Sequence, residues 1–449
     1  MPLSDLRIAY LTAGAAGMYC GSCIHDNTLA AALTRLGIDV QLIPVYTPIR
    51  TDEGDVSVDR VFFGGVNIYL QEKFRLFRHL PPLLDRFLDQ PRLLRWATSR
   101  GSAIDPRLLG RMTVSMLRGE HGHQRKEVRR LCRYLASTVR PNLLVFTNIL
   151  IGGCIPEIKR TTGASVLVTL QGDDVFLDFL PEPYRADAIS QIRGLVEVVD
   201  GFLVHSQYYA DYMQQYLEIP VEKLNIVPLG IDTRDFTGFH PREQFADRGS
   251  RESGSFDRPP TIGYLARLAP EKGLHVLVDS FLQLRRKPGV QDARLCVAGW
   301  LGENNRQYAE AEFAKLRAAT DDGDFHYAGE VDRRGKIEFL RQLDVLSVPT
   351  TYHEPKGLFV LEALAAGVPV VQPNHGAFPE LIASTGGGCL TTPDDPWSLA
   401  DALYDLLLDH PRRRQYAAEG LRAVHEQRNA ETMAQATLEV LQRYRATGK

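Results

Sequence analysis

A short turn in the second half of the chain carries two cations at a spacing that suits a phosphate ligand. In LARLAPEKGLHVLV, Arg267 and Lys272 follow an apolar run and precede Gly273, where an amphipathic helix is expected to begin. A helix N-terminus attracts anions through its unpaired N–H groups and its dipole. Arginine adds a planar fork of donors and lysine a compact charge, so the turn predicts a diphosphate site. For this turn taken alone, the alternative is that Arg267 and Lys272 are ordinary surface charges with no ligand.

Two glutamates further along the chain are placed to bind hydroxyl groups. In TYHEPKGLFVLEAL, Glu354 lies in a predicted loop and Glu362 lies in a predicted helix over 357–366. Carboxylates accept hydrogen bonds from vicinal hydroxyls such as those of a ribose or a hexose. Two solvated glutamates beside an ordinary helix are the alternative. The helix would begin with three backbone N–H groups that can face a phosphate, those of Lys356, Gly357 and Leu358.

The loop after the first apolar run, GMYCGSC over 17–23, contains the pair Cys20 and Cys23. A C-x-x-C pair in a strand-to-helix turn is compatible with a redox pair, with half of a metal site, or with a loop that folds around a ligand. A zinc ribbon would need a second C-x-x-C or a compact histidine pair, and the sequence has neither. The other four cysteines are scattered and resemble small core residues of a reduced compartment.

These candidate residues need elements that bring their loops to one edge of a sheet. Short apolar runs alternate with amphipathic stretches in both halves, which is the pattern of a parallel sheet flanked by helices. Ligands bind beyond the carboxyl ends of parallel strands, so sites are expected in the loops that follow them. Strands are predicted at 7–11, 39–43, 143–146, 166–170, 201–205, 261–265, 294–298, 344–348 and 368–371.

A polar segment rich in Gly, Ser and Pro, 237–260, separates the two halves and predicts a linker. A first domain is therefore expected over 1–236 and a second over 261–424. The C-terminal helix within 425–449 is expected to return to the first domain. Two open α/β domains joined by one linker imply a cleft between them.

Composition limits the classes of protein that this chain can be. Its 449 residues are 44% hydrophobic and 24% charged, with a formal net charge of −3, so extensive disorder is not expected. Its apolar runs fall short of the ~18 residues that a membrane-spanning helix needs. The N-terminus lacks the features of a signal peptide, which favours a cytoplasmic location. The acidic balance and the lack of a recognition motif argue against nucleic acid as a partner.

One segment, 71–130, departs from this balance, with 14 Lys or Arg against 6 Asp or Glu. Within 72–100, aromatic residues and leucines are mixed among arginines, and prolines divide the pattern into short pieces. We interpret it as a basic helical insert that covers the acceptor side. A peripheral contact with an anionic membrane at the cytoplasmic face is a second hypothesis, and a solvated insert is the alternative.

Together these segments resemble the nucleotide-sugar domain of retaining glycosyltransferases of family 4, the glycogen-synthase-like group. The match over roughly 260–410 consists of the R-x(4)-K-G turn, the E-x(7)-E pair, an A-x-G-x-P-V-V strand and a G-x-x-P-E loop that starts at Gly376. The first half agrees more loosely, in TLQGDD, in VHS at 204–206 and in PLGID at 228–232. The resemblance implies the GT-B fold, in which two Rossmann-like, doubly wound parallel-sheet domains face each other across a cleft.

This resemblance also implies an activity, the retaining transfer of a sugar from a nucleotide-diphosphate sugar to a hydroxyl acceptor that is a glycan, a lipid-linked molecule or a small molecule. Arg267 and Lys272 would bind the donor diphosphate and stabilise charge on the departing nucleotide. Glu354 would hold hydroxyls of the transferred sugar and Glu362 the ribose hydroxyls. Members of the family are generally metal-independent, so neither a metal ion nor a cofactor is expected.

The resemblance assigns further residues to the first half. The first loop would touch a donor or acceptor phosphate, which places Gly17 among the donor-binding residues. Related sequences often carry histidine where Gln171 stands, and glutamine cannot take a proton at neutral pH. The retaining reaction needs no such base, since the leaving phosphate can accept the proton. The acceptor-side residues would be Gln171, Asp173, Asp174 and His205. Helix capping is the alternative for the aspartates, and a structural hydrogen bond for His205.

Three other functions are compatible with the same pattern. A non-catalytic sensor would bind a sugar nucleotide without transferring the sugar. A redox-regulated GT-B protein would use the C-x-x-C pair. A glycan phosphorylase would need a lysine that tethers pyridoxal phosphate.

Overall fold

The computed structural model of the chain describes four stretches of residues: 6–14, 19–63, 105–238 and 258–445. Contacts divide these residues into two units. Unit 1 comprises the described residues up to Pro228 and from Met433 onward, and unit 2 runs from Leu229 to Thr432. Each unit has its own cluster of buried apolar side chains.

Unit 1 contains one parallel sheet with the strand order β2-β1-β3-β4-β5-β6. Every residue of β3 and β5 is buried, as expected of strands that are covered on both faces. The strands are β1 (Arg7–Thr12), β2 (Asp39–Pro44), β3 (Leu143–Phe146), β4 (Ser165–Thr169), β5 (Gly201–Val204) and β6 (Leu224–Ile226).

The helices of unit 1 connect these strands. The start of one of them is set by Ser206, whose hydroxyl oxygen accepts a hydrogen bond from the N–H of Tyr209 at 3.1 Å. The described helices are α1 (Gly21–Arg35), α2 (Pro106–Leu117), α3 (Arg125–Tyr134), α4 (Ile155–Thr162), α5 (Asp173–Asp178), α6 (Tyr184–Val198) and α7 (Gln207–Leu217).

Unit 2 repeats this plan with a second parallel sheet, in the order β12-β11-β10-β7-β8-β9. Its central strand β7 pairs with β8 on one side and β10 on the other. The strands are β7 (Thr261–Leu265), β8 (Arg294–Ala298), β9 (Phe325–Tyr327), β10 (Val345–Leu346), β11 (Val370–Pro373) and β12 (Gly388–Thr391).

Eight described helices follow β7. The last of them passes from unit 2 into unit 1 at Met433. Just beyond it, the Tyr444 hydroxyl accepts a hydrogen bond from Asn225 Nδ2 in β6 at 2.9 Å. The helices are α8 (Leu274–Leu284), α9 (Arg306–Ala319), α10 (Arg333–Arg341), α11 (Leu358–Ala365), α12 (Phe378–Thr385), α13 (Pro396–Leu408), α14 (His410–Gln427) and α15 (Ala430–Arg443).

The prediction of two α/β domains, each with a doubly wound parallel sheet, is confirmed. The predicted strands missed β6, β9 and β12, all at sheet edges. The predicted limits at 1–236 and 261–424 stay a prediction, because most of the predicted linker lies outside the described residues.

The basic insert is described only in part. Its residues from 105 onward form α2 and the first part of α3, whereas 71–104 lie outside the described residues. The proposed cover of the acceptor side and the membrane contact therefore stay predictions. In the stretches that the structure describes, every helix is too short or too polar to cross a membrane.

Candidate active site

The turn between β7 and α8 lies against the loop that follows β10. Because β7 and β10 are parallel neighbours, both loops leave the sheet at the same edge. Gly273 has a φ of +71°, and a Cβ at this position would lie 1.7 Å from the carbonyl oxygen of Pro349, so a side chain cannot be accommodated. The buried Tyr264 hydroxyl lies 3.3 Å from the carbonyl oxygens of Arg267 and Lys272 and donates to them.

This close approach brings Lys272 to Glu354. Lys272 Nζ lies 2.7 Å from Glu354 Oε2 and 2.6 Å from the hydroxyl oxygen of Tyr352. The Tyr352 hydroxyl donates to the same glutamate oxygen. The side chains of Lys272 and Glu354 are only 16% and 6% exposed. Such a buried pair is tolerated because each charge has a partner and further hydrogen bonds.

The second oxygen of Glu354 binds the backbone. Glu354 Oε1 accepts hydrogen bonds from the N–H groups of Lys356 and Gly357, each at 3.2 Å. Helix α11 begins at Leu358, one residue later than predicted. Two of the three predicted phosphate-facing amides thus donate to Glu354, and a phosphate role for Lys356, Gly357 and Leu358 stays a prediction.

These contacts determine the charge of Glu354. Burial acts to raise the pKa of its carboxyl group, but the charge and the hydrogen bond of Lys272, with the hydrogen bond of Tyr352, outweigh burial and lower the pKa to about 2. The carboxyl group is therefore ionised at neutral pH and can only accept hydrogen bonds.

The predicted glycine loop after β11 supports the backbone of Glu354. The N–H of Ala377 donates to the carbonyl oxygen of Glu354 at 2.8 Å. Gly376 has a φ of +61°, and a Cβ there would lie 2.6 Å from that oxygen and 2.7 Å from the backbone nitrogen of Glu354. Glycine at 376 is therefore required for the loop to approach this closely.

Arg267 and Glu362, which were also predicted to bind the nucleotide-sugar donor, each form an ion pair that we did not predict. Arg267 Nη2 lies 2.5 Å from Glu271 Oε1, with the arginine side chain 39% exposed. Glu362 Oε1 lies 2.6 Å from Lys336 Nζ of α10, and both side chains are at most 10% exposed. Lys336 lies four residues before buried Leu340, which places both on one face of the helix. This helical spacing is the feature of the sequence that could have indicated a buried lysine.

In unit 1, polar side chains converge on Asp26, which the sequence analysis did not single out. Asp26 lies on α1 and is fully buried. Tyr10 donates from within β1, and the other three donors lie at or just beyond the carboxyl ends of strands, where a parallel sheet places binding residues. The carboxylate accepts hydrogen bonds from Tyr10 (2.9 Å), Thr12 (2.7 Å), Thr147 (2.5 Å) and the predicted residue Gln171 (3.1 Å).

Two histidines adjoin these residues. We call Asp26, its four donors and His25 the Asp26 cluster. His25 Nδ1 lies 3.2 Å from Asp26 Oδ1 and donates to it. Burial acts to raise the pKa of Asp26, but the hydrogen bond and charge of His25 and the threonine hydroxyls outweigh burial and lower it. The predicted residue His205 donates from Nδ1 to the carbonyl oxygen of Val227 at 3.0 Å, and its ring centre lies 4.6 Å from that of His25.

The predicted aspartates are the first two residues of α5, and Gly172 is the N-cap. Asp173 accepts hydrogen bonds from the N–H groups of Ile149 at 2.7 Å and Gln171 at 2.9 Å, and burial raises its pKa to about 7. Asp174 accepts one from the Tyr209 hydroxyl at 2.5 Å, and burial raises its pKa as well. Asp173 therefore joins backbone segments, whereas Asp174 binds a side chain.

Gly17 lies outside the described residues, so its role stays a prediction. Neither Cys20 nor Cys23 is part of a disulfide. Within the described stretches, no three His, Cys, Asp or Glu side chains are arranged to hold a metal ion.

Comparison with known proteins covers both halves of the chain. Residues 246–422 match the family model described as glycosyl transferases group 1. A GDP-mannose-dependent monoacylated alpha-(1-6)-phosphatidylinositol monomannoside mannosyltransferase of Corynebacterium glutamicum is 29% identical over 293 residues, 63% of this chain and 71% of that protein. A D-inositol 3-phosphate glycosyltransferase of Stackebrandtia nassauensis is 30% identical over 54% of this chain, and the chain spans only 53% of that relative.

Solved structures show the same fold. Anabaena HepE, determined in complex with UDP, aligns with 98% of this chain and 100% of its own at a TM-score of 0.66 and 16% identity. Sucrose-phosphate synthase from Thermosynechococcus elongatus aligns over the same fractions at a TM-score of 0.69 and 17% identity. The predicted GT-B fold, with two Rossmann-like domains, is confirmed.

The lowered pKa of Glu354 predicts a pH-dependent stability. Above the ordinary pKa of a glutamate the ionised pair stabilises the fold, and this contribution is lost as pH falls toward the folded-state pKa of about 2. The free energy of unfolding of Glu354→Gln should therefore be lower than that of the wild type by about 3 kcal/mol near neutral pH. Chemical denaturation at several pH values should show this difference shrinking below about pH 4.5.

Glu338→Gln is the matched control, because Glu338 is exposed and its ion pair with Arg334 is screened by water. Its free energy of unfolding should equal that of the wild type at every pH. A Glu354→Gln difference that does not change with pH would contradict the assignment of the charge to this pair.

Gly376→Ala should lower the free energy of unfolding by about 2–3 kcal/mol, because it combines a left-handed backbone with contact against Glu354. Gly329→Ala is the control, since Gly329 has a φ of +76° and nothing within 4 Å of the added Cβ. Equal losses of stability in denaturant melts of the two variants would show that the contact with Glu354 does not matter.

Proposed function

We propose that this chain, whose residues 246–422 match the family model described as glycosyl transferases group 1, transfers a sugar from a nucleotide-diphosphate sugar to a hydroxyl acceptor with retention of configuration. The observation that carries this proposal is the convergence of Lys272 and Glu354, 82 residues apart in the chain, into one buried ion pair beside the Arg267 turn. The relatives named as mannosyl- and glycosyltransferases, and the HepE complex with UDP, favour a nucleotide sugar as the donor.

Charge complementarity supports a donor diphosphate at the β7–α8 turn. Lys272 Nζ directs two of its three N–H bonds to Tyr352 and Glu354, which leaves a third for a phosphate oxygen. The Arg267 side chain is more exposed and lies at the same turn. Two cations would offset the charge that develops on the departing nucleoside diphosphate. In this scheme neither a metal ion nor a cofactor is required.

The two glutamates would bind hydroxyl groups on either side of the diphosphate. Glu354 remains ionised and is fixed by Lys272 and by two backbone amides, so its position is set before a sugar arrives. A sugar hydroxyl would join or replace the Tyr352 hydroxyl at Oε2. Glu362, paired with Lys336, would accept hydrogen bonds from the ribose hydroxyls.

The acceptor would be bound by polar residues of unit 1. Asp174 would orient the acceptor hydroxyl, and Tyr209 would share its proton with that carboxylate. Gln171 and His205 lie at the carboxyl ends of β4 and β5 and would contribute hydrogen bonds. Asp173 would act by positioning, since both its oxygens bind backbone N–H groups.

Retention of configuration is compatible with a glutamine at position 171, because the reaction needs no general base there. In a same-face reaction the leaving phosphate oxygen accepts the proton of the acceptor hydroxyl as the new glycosidic bond forms. The protein then has to hold donor and acceptor in register and to stabilise negative charge on the diphosphate. Arg267 and Lys272 supply that stabilisation.

The proposal is tested by a thermal-shift screen against GDP-, UDP- and ADP-linked sugars, followed by product analysis with the donor that stabilises the protein. A specific donor should raise Tm, because a ligand that binds only the folded state stabilises it. NMR of the first product should show the anomeric configuration of the donor. Binding with neither transfer nor slow donor hydrolysis would indicate a sensor, and an inverted product would overturn retention.

Lys272→Ala should lower kcat/KM by more than about tenfold, a barrier change of roughly 1.4 kcal/mol, because one of the two cations at the diphosphate is lost. Glu354→Ala should have an effect of similar size on turnover. Lys287→Ala is the control, since Lys287 is paired with Asp401 and lies beyond the C-terminal end of α8, away from the turn. Near-wild-type activity in Lys272→Ala, measured by initial rates with the screened donor, would count against the site.

Chelation should leave the activity unchanged, because the two cations supply the charge that a divalent ion would otherwise supply. The measurement is the initial rate after dialysis against EDTA, with the rate after readdition of Mg²⁺ or Mn²⁺ as the control. A rate that falls on dialysis and returns with either ion would contradict a metal-independent reaction.

A further inference from the structure

Cys20 and Cys23 lie together at the start of α1. Cys20 is the N-cap residue with an extended backbone, and Cys23 is the third residue of the helix. A spacing of three residues places both side chains on the first turn. Side chains at the N-cap and at the third helical position face each other across that turn, so the two sulfur atoms lie on the same side of the helix end.

The two thiols differ in their surroundings. The Cys20 side chain is half-buried, whereas Cys23 is 2% exposed. The hydrogen bond with Cys20, together with burial, raises the pKa of Cys23 well above its ordinary value. Cys20 lies at the N-terminal end of a helix, where the dipole stabilises a thiolate. The pair thus combines a half-buried sulfur atom that a small disulfide can reach with a buried sulfur atom on the same turn.

The remaining cysteines lie elsewhere. Cys154 directs its thiol to the carbonyl oxygen of Ile151 at 3.5 Å, and burial raises the pKa of Cys132 to about 12. The four lie in or beside α3, α4, β8 and β12, at Cys132, Cys154, Cys296 and Cys389. They provide internal controls for reactivity.

We propose that Cys20 and Cys23 form a reversible disulfide through exchange with a small-molecule disulfide. The Cys20 thiolate attacks one sulfur of the oxidant, and the other half leaves as a thiolate that takes up a proton. Cys23 then loses its proton to solvent and attacks Cys20 Sγ, which expels the second half of the oxidant as a thiolate. The two cysteines lose two electrons and two protons in total, and the small disulfide is reduced to two thiols.

The disulfide would form next to the Asp26 cluster. Cys23 is hydrogen-bonded to Thr12, and the Thr12 hydroxyl donates to Asp26 at 2.7 Å. Oxidation replaces the Cys23 thiol beside Thr12 by a disulfide sulfur and so alters the surroundings of the Thr12 hydroxyl. An effect on acceptor binding follows only if the proposed function holds, whereas formation of the disulfide does not depend on it.

The test uses the full chain, reduced and then exposed to oxidised glutathione at neutral pH, with remaining thiols trapped by N-ethylmaleimide. Intact mass and peptide mapping should show loss of two hydrogen atoms confined to the peptide that contains Cys20 and Cys23, reversed by dithiothreitol. Trapping of both thiols, or a stable glutathione adduct on Cys20, would overturn the proposal. Neither readout requires catalytic activity.

Single variants separate the two steps. Cys23→Ser should accumulate a glutathione adduct on Cys20, because no second thiol resolves it. Cys20→Ser should take up no glutathione at Cys23, and serine is itself a favoured N-cap, so the helix start is preserved. Cys132→Ser should behave as the wild type. Rapid labelling of Cys23 in Cys20→Ser would contradict the order of attack.

Discussion

The arrangement of unit 2 depends on one constraint, that the buried charges of Lys272 and Glu354 must satisfy each other. Neither charge could be withdrawn from water alone at an acceptable free energy. The constraint explains why Gly273 has to approach Pro349, why the Tyr352 hydroxyl lies at the same oxygen, and why Gly376 supports the backbone of Glu354. A site built in this way is rigid before any ligand arrives, which is what positioning a diphosphate and a sugar requires.

In unit 1, the buried charge of Asp26 must likewise be satisfied by partners. A fully buried carboxylate is kept ionised by His25 and by hydroxyl and amide donors that come from separate strands. The donors tie β1, β3 and the loop after β4 to α1. The buried polar groups thus fix the ends of the strands where Gln171 and His205 lie, and such a network is stabilising only when its members are satisfied.

Much of this organisation could be predicted from the sequence. The nine predicted strands are mostly apolar, and their alternation with helices indicated parallel sheets. The missed strands β6, β9 and β12 lie at sheet edges, and their residues are only partly buried, so they lack such runs. The start of α1 at Gly21 was not predictable, because its N-cap is a cysteine and carries no conventional capping signal.

The residues of the site were predictable where a motif linked them and not where only tertiary contacts did. Lys272 and Glu354 belong to recognisable segments, but nothing in the sequence pairs them. In the sequence, Asp26 is one polar residue of an ordinary helix. The residues that donate hydrogen bonds to it are up to 145 positions away. Lys336 and Tyr352 likewise gain their importance from partners that the fold supplies.

The most direct test of the central claim is a crystal structure with the nucleoside diphosphate of the screened donor bound. The account predicts phosphate oxygens within hydrogen-bonding distance of Arg267 and Lys272, and ribose hydroxyls at Glu362. A diphosphate bound elsewhere on the molecule, with the Lys272–Glu354 pair away from the ligand, would contradict it.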